Sequence, residues 1–133
     1  MALKIGEVAE MSKTVTEKDI LDYADMTGDY NPIHVDEEAA KKTIFGGRIA
    51  HGVYALGLVS AVLGTKMPGY GTIFLGQNVN YRLPIRIGDT IRAICEVSEI
   101  INEKKGIYRI NTVCVNQNEE VVLDGDAVVK YTE

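Results

Sequence analysis

Residues 53–63 carry no charge, and apart from Tyr54 and Ser60 they are wholly apolar. Wound into a helix, such a run is hydrophobic on every side, and a helix of that kind has to be buried. The fold must therefore enclose one central helix. Small residues within and just after it, Gly57 and Gly64, would let neighbouring backbone come close. Residues 64–69, with Gly64, Pro68 and Gly69, break the helix. From Gly71 onward the apolar period changes from helical to two: Ile73, Leu75, Gln77, Val79, Tyr81 and Leu83 alternate with Thr72, Phe74, Gly76, Asn78, Asn80 and Arg82. Further strands are predicted over 90–101, 106–117 and 121–131, the last with Val121, Leu123, Ala127, Val129 and Tyr131 on one face. Gly88-Asp89 and residues 116–119 supply turns, and Pro84 a bend. A short strand is expected near residues 5–8. The outcome is an α+β domain in which an antiparallel meander has helices packed on one face.

With 133 residues the chain fits a single domain over 1–133, with enough length for a real core. A net charge of −5 with no run of Lys or Arg argues against a nucleic-acid or anionic-membrane surface, so an anionic ligand would need a local basic patch. The first seven residues lack the basic start and apolar stretch of a signal peptide, and no apolar run reaches membrane-spanning length; the cytoplasm is expected. Cys95 and Cys114 are too few and too far apart for a disulfide framework or a zinc site. Cys95 falls in the apolar row Ile91, Ala93, Val97, and Cys114 has no histidine beside it in sequence.

Ahead of the central helix, Thr16 and Asp19 form a capping-box pattern that starts a helix over 17–26. Gly28 ends it. Residues 36–42 place acids first and bases last, as a second short helix would. Between them lies a turn with a carboxylate, Asp29, and an imidazole, His34. Five residues apart, the two share neither a strand face nor a straight helix face, and only irregular backbone brings them together. Gly28 and Pro32 provide it. Taken singly, Asp29 fits a turn cap and His34 a core-edge histidine. Jointly they fit an acid/base pair beside the start of a buried helix. Asn31 fits an Asx-turn that locks the loop before Pro32. His51 is the rival base, but it precedes the helix, where packing and orienting the loop is the preferred role. Gly52 starts the helix, where unpaired N–H groups carry partial positive charge and no side chain blocks an approaching carbonyl.

One buried helix enclosed by a curled antiparallel sheet is the layout of the hot-dog fold. The stretch 23–39, with Gly28-Asp29-Tyr30-Asn31-Pro32-Ile33-His34 at its centre and Ala39 five positions beyond His34, resembles the hydratase motif of the MaoC-like (R)-specific enoyl-CoA hydratases. Phe45-Gly46-Gly47-Arg48-Ile49-Ala50-His51-Gly52 and Leu75-Gly76-Gln77 resemble that family too, and the likeness spans nearly the whole chain.

The resemblance implies reversible syn addition of water to a trans-2-enoyl thioester, giving an (R)-3-hydroxyacyl-CoA. It implies Asp29 as general base, His34 as the group that orients the water and protonates Cα, the Gly52 N–H as donor to the thioester carbonyl, and Ser60 as a polar residue that positions the pair. Such chemistry needs a base, an acid and an oxyanion donor, and neither a metal nor a redox cofactor. Coenzyme A enters as part of the acyl-CoA substrate. Arg48, Lys66, Arg82 and Arg86 could offer charge to its phosphates. Tyr54, Leu56 and Leu63 are expected to limit the acyl group to about four to six carbons, on the ordinary selectivity of apolar pockets. A small hot-dog domain leaves a sheet edge and the helix-end cleft incompletely covered, so a homodimer or a dimer of dimers is expected. Two other readings stand beside this one. A hot-dog thioesterase would carry its carboxylate on the buried helix, and residues 53–63 contain none; a non-catalytic acyl-CoA-binding domain would have no use for Asp29 and His34.

Overall fold

In the computed structural model, which describes residues 2–132, the elements run β1 (Val8–Thr14), α1 (Glu17–Thr27), α2 (Pro32–Val35), α3 (Glu37–Lys41), α4 (Gly52–Thr65), β2 (Ile73–Tyr81), β3 (Thr90–Asn102), β4 (Ile107–Val115) and β5 (Val121–Lys130). The first strand begins later than expected. Glu7 N–H bonds back to the Lys4 carbonyl at 3.1 Å, and Gly6 sits at φ 91°, so residues 4–7 turn where a strand was predicted. β1 then pairs with β3 from Val8↔Glu96 to Thr14↔Thr90.

The five strands form one antiparallel sheet in the order β1-β3-β4-β5-β2. Only β3, β4 and β5 make the predicted meander. β2 pairs with β5 at the far edge rather than with β3, because the link between β2 and β3 is too long and too bent at Pro84 for a hairpin. It runs instead across the end of the sheet. The Arg82 N–H donates to Val122, Ala50 N–H to Ile85, and Gly88 N–H to Val15, at 2.8, 2.7 and 2.8 Å. This crossing lays residues 82–86 over the start of α4.

β3 buries Ile91, Ala93, Cys95 and Val97, and β4 buries Tyr108, Ile110, Thr112 and Cys114, as period-two reading requires. β5 buries Leu123, Ala127 and Val129 but also Val122, while Val121 is exposed. Burial pushes both thiols up to about 12, with the neighbouring Cys114 adding to the effect at Cys95. They are small hydrophobes, and Cys114 Sγ lies 3.7 Å from the Ala55 carbonyl. α4 lies on this face through Ala55, Leu58, Val59, Val62 and Leu63. The sheet does not enclose it. Val53, Gly57 and Ser60, spaced four and three apart, form an exposed stripe on its other side. No helix among the described residues is long and apolar enough to cross a membrane.

The β2–β5 edge depends on Gly125, where a Cβ would run into the Asn78 carbonyl across the ladder. Gly125→Ala is expected to lower stability by about 1–3 kcal/mol through overpacking. Gly76→Ala, with open space at its Cβ position, should stay within about 0.5 kcal/mol. Urea unfolding of both variants checks this, and equal effects would contradict it.

Candidate active site

The site is assembled by the two ends of a loop and the start of a helix. Thr16 and Asp19 make the full capping box of α1, the two bonds being 3.1 and 3.0 Å. Burial raises the Asp19 carboxyl, and the Thr16 hydrogen bonds with the nearby Lys13 outweigh it, leaving the group below its usual value. At the other end of α1, Gly28 takes φ 80° and its N–H closes on Ala24 at 2.8 Å. Three side-chain bonds then fold the loop: Asp29 N–H to Thr27 Oγ1 at 3.2 Å, Asn31 N–H to Asp29 Oδ1 at 3.3 Å, and Ile33 N–H to Asn31 Oδ1 at 3.3 Å. Asn31 thus caps α2, with Pro32 at its first position, where a missing N–H costs nothing. His34, expected in a turn, lies on this single helical turn.

His34 is 8% exposed and its Nδ1–H donates to the Ile49 carbonyl at 2.8 Å. That bond fixes the tautomer and leaves Nε2 with a lone pair. Ile49 N–H in turn donates to Ile33 at 3.1 Å, so the segment entering α4 is tied to α2 at Ile33 and at His34. Two residues on, His51 is buried, donates from Nε2 to the Asp29 main-chain carbonyl at 3.0 Å, and stacks on His34 with ring centroids 3.9 Å apart. Donor atoms of Asp29, His34 and His51 all lie within 4.8 Å of one another. Two histidines and a carboxylate are a donor set that suits transition metals. Here the rings are inclined by only 30°, so their in-plane lone pairs run side by side instead of converging on one ion.

Gly52 is the first residue of α4, and His51 at the cap position spends no side-chain bond on it. Its N–H has no earlier turn of helix to bond to. A Cβ here would sit 3.0 Å from the Tyr81 ring. Between these groups lies a cavity of about 450 Å3, walled by His34, Gly52, Val53, Tyr81, Leu83, Ile85 and Val122 among others, largely apolar in character. Asp29 stands at the surface beside it, outside the wall.

The structure therefore brings together Asp29, His34, Asn31 and Gly52. It does not bring Ser60 to them within one chain. Ser60 is exposed on the outer stripe of α4, eight residues or about 12 Å along the axis from Gly52. The residues expected to wall an acyl tunnel also differ. Leu63 is fully buried in the core, and the Tyr54 hydroxyl reaches Asp19 at 3.3 Å, its acidity pushed to about 12 by burial and then by that carboxylate. Tyr81 at the end of β2, Leu83 and Ile85 on the crossing link and Val122 of β5 do the walling; Pro84 was the sequence signal for that crossing. Two of the four basic residues considered for phosphate binding are already committed. Arg48 joins Glu17 and Glu37, each at 3.1 Å, and Arg82 grips Asp124 with both fork nitrogens at 3.0 and 3.2 Å.

A family model described as MaoC like domain matches residues 3–119, and the chain belongs to that family. It is 45% identical over 128 residues to a 3-hydroxybutyryl-CoA dehydratase of Methylorubrum extorquens, covering 96% of this chain and 80% of that one. Among solved structures it is similar to the (R)-hydratase of Aeromonas caviae involved in PHA biosynthesis, at TM-score 0.93 and 35% identity over 98% of both chains. The R-hydratase PhaJ1 of Pseudomonas aeruginosa superimposes at TM-score 0.92 with 37% identity, over 98% of this chain and 83% of that one. The hot-dog fold read from the sequence is thereby borne out.

Because Asn31 Oδ1 is the cap that starts α2, Asn31→Ala is expected to cost about 1 kcal/mol of stability. A urea midpoint unchanged from the parent would contradict that role.

Proposed function

We propose that the chain is an (R)-specific enoyl-CoA hydratase, a hydro-lyase that adds water reversibly and syn to trans-2-enoyl-CoA and, in reverse, acts as a 3-hydroxyacyl-CoA dehydratase. One observation carries this reading: an uncommitted His34 Nε2 and the Gly52 N–H share one apolar cavity, with the Asp29 carboxylate against the same imidazole. The relatives named as hydratases and dehydratases support it. α4 carries no Asp or Glu to serve a thioesterase.

The steps follow from these atoms. The Asp29 carboxylate takes a proton from water, and the hydroxyl adds to C3 of the enoyl group. The C2=C3 electron pair moves onto the thioester as an enolate, whose oxygen is stabilised by the Gly52 N–H at the positive end of α4. His34, protonated on Nε2, returns a proton to C2. The Ile49 carbonyl keeps its bond from Nδ1–H throughout and holds the ring in place. Transfer of the proton from Asp29 to His34 resets the pair, with one water consumed. No step requires a metal or redox cofactor.

Asp29→Asn and His34→Ala are each expected to fold as the parent does and to lose about 100-fold or more in hydration rate, the scale of general acid/base groups. Rates within a few-fold of the parent would overturn the assignment.

The substrate is a short acyl group of about four to six carbons, since an apolar cavity discriminates by steric fit. The name of the M. extorquens relative, whose substrate has a four-carbon acyl group, supports this. Each methylene accommodated would gain about 0.8 kcal/mol, so a deeper tunnel would favour longer chains. Side-by-side kcat/KM for crotonyl-CoA and octenoyl-CoA should favour crotonyl-CoA; the reverse order would contradict the length limit and leave the hydratase reading intact.

The assembly is a homodimer or a dimer of dimers. The outer stripe of α4 is apolar or small, and the neighbouring edge strand β2 leaves Ile73, Leu75 and Tyr81 exposed at 54, 52 and 50%. Unpaired strand edges with apolar side chains invite a second chain. Sedimentation equilibrium of this 14.6 kDa chain should read about twice that mass or a multiple of it, and a monomer would refute the claim.

A further inference from the structure

His51 has no part in the steps above, yet it is 1% exposed and touches both groups that carry them. Its Nε2–H holds the Asp29 main-chain carbonyl at 3.0 Å. One face of its ring lies on His34 at 3.9 Å, and Tyr23 leans against it at 4.5 Å and 40°. It stands at the cap position of α4 with φ −60° and ψ 130° but makes no capping bond, so helix initiation does not explain it. Nδ1 is buried with no partner. Buried polar atoms are ordinarily paired, and an imidazole here bears a desolvation cost that an apolar ring of the same size would not.

We propose that His51 is a positioning residue for the hydration assigned above to Asp29 and His34, on which assignment this inference rests. One side chain sets the spacing of the pair: its donor edge fixes the Asp29 backbone, and its face fixes the plane of the His34 ring. Histidine alone combines the two at this size, since phenylalanine has the face without the donor and glutamine the donor without the face. With no acceptor near Nδ1, the ring is kept as the Nε2–H tautomer. The surface that His51 presents to His34 is then uncharged when His34 holds its second proton. His51 is not part of the cavity wall, so it acts through these neighbours and does not touch substrate.

The test compares His51→Gln, His51→Phe and His51→Asn, the last having an amide too short to reach Asp29. Steady-state kinetics with crotonyl-CoA are combined with 15N and 1H NMR of the histidine rings. A misplacement of about 1 Å can cost about 100-fold, so kcat should fall about 100-fold in the Asn variant and about 10-fold in the Gln and Phe variants, with KM within about threefold. In the parent, ring 15N shifts should read Nδ1–H for His34 and Nε2–H for His51, and the His34 Cε1–H resonance should move in the Gln variant, where the stacked face is gone. A folded Asn variant with near-parental kcat, a loss confined to KM, or an Nδ1–H tautomer at His51 would each overturn the proposal. Should the Asn variant not fold, the Gln and Phe variants decide, and parental kcat in both refutes it. A parent without hydratase activity would refute the hydration reading; the spacing role would then stand or fall on the tautomers and the His34 shift.

Discussion

Ile49 is the joint on which the site depends. Its N–H bonds to the Ile33 carbonyl and its own carbonyl receives the His34 Nδ1–H, so one residue ties the loop of Asp29 and His34 to the entry of α4. Without that tie, the bond from His51 Nε2–H to the Asp29 main-chain carbonyl would alone hold the loop beside Gly52. Ile49 is itself braced by its bridge to Arg86, and Ala50 by its bond to Ile85. The crossing link therefore does two jobs: it moves β2 to the far edge of the sheet, and it supports the segment that aims His34.

The same link explains why the cavity is where it is. A hairpin between β2 and β3 would leave the start of α4 open. A crossing over the sheet end roofs it with Leu83 and Ile85 and sets Tyr81 against Gly52. Glycine leaves room there, since a Cβ would sit 3.0 Å from that ring and the ring would have to shift. The outcome is a largely apolar recess with few polar groups, in which a hydrogen bond from the Gly52 N–H to a bound oxygen would be strengthened by the lowered local dielectric.

Much of this was legible in the sequence because the signals were local. The Thr16/Asp19 capping box, the Gly28 stop, the Asn31-Pro32 turn and the strands from Thr90 onward each depend on residues a few positions apart, and the structure has them all. What the sequence did not reveal depends on distant partners. β1 is held by β3 rather than by its own weak alternation, and the place of β2 is decided by a link whose only visible mark was Pro84. The outer face of α4 looked like core because it is apolar, and the stripe Val53, Gly57, Ser60 departs from that expectation since the sheet covers only one side. The motif resemblance made Asp29, His34 and Gly52 readable; Ser60, carried over with them, lies away from the pair in a single chain.

The central claim is that Asp29 and His34 serve one water from one side of the double bond. Hydration of crotonyl-CoA in D2O, followed by NMR assignment of the C2-deuterated product, tests it most directly. Addition from a single face gives one diastereomer of (R)-3-hydroxybutyryl-CoA, with deuterium and hydroxyl delivered syn. An anti product, or a mixture of the two diastereomers, would mean that the proton reaches C2 from elsewhere and that this pair of residues does not act as described.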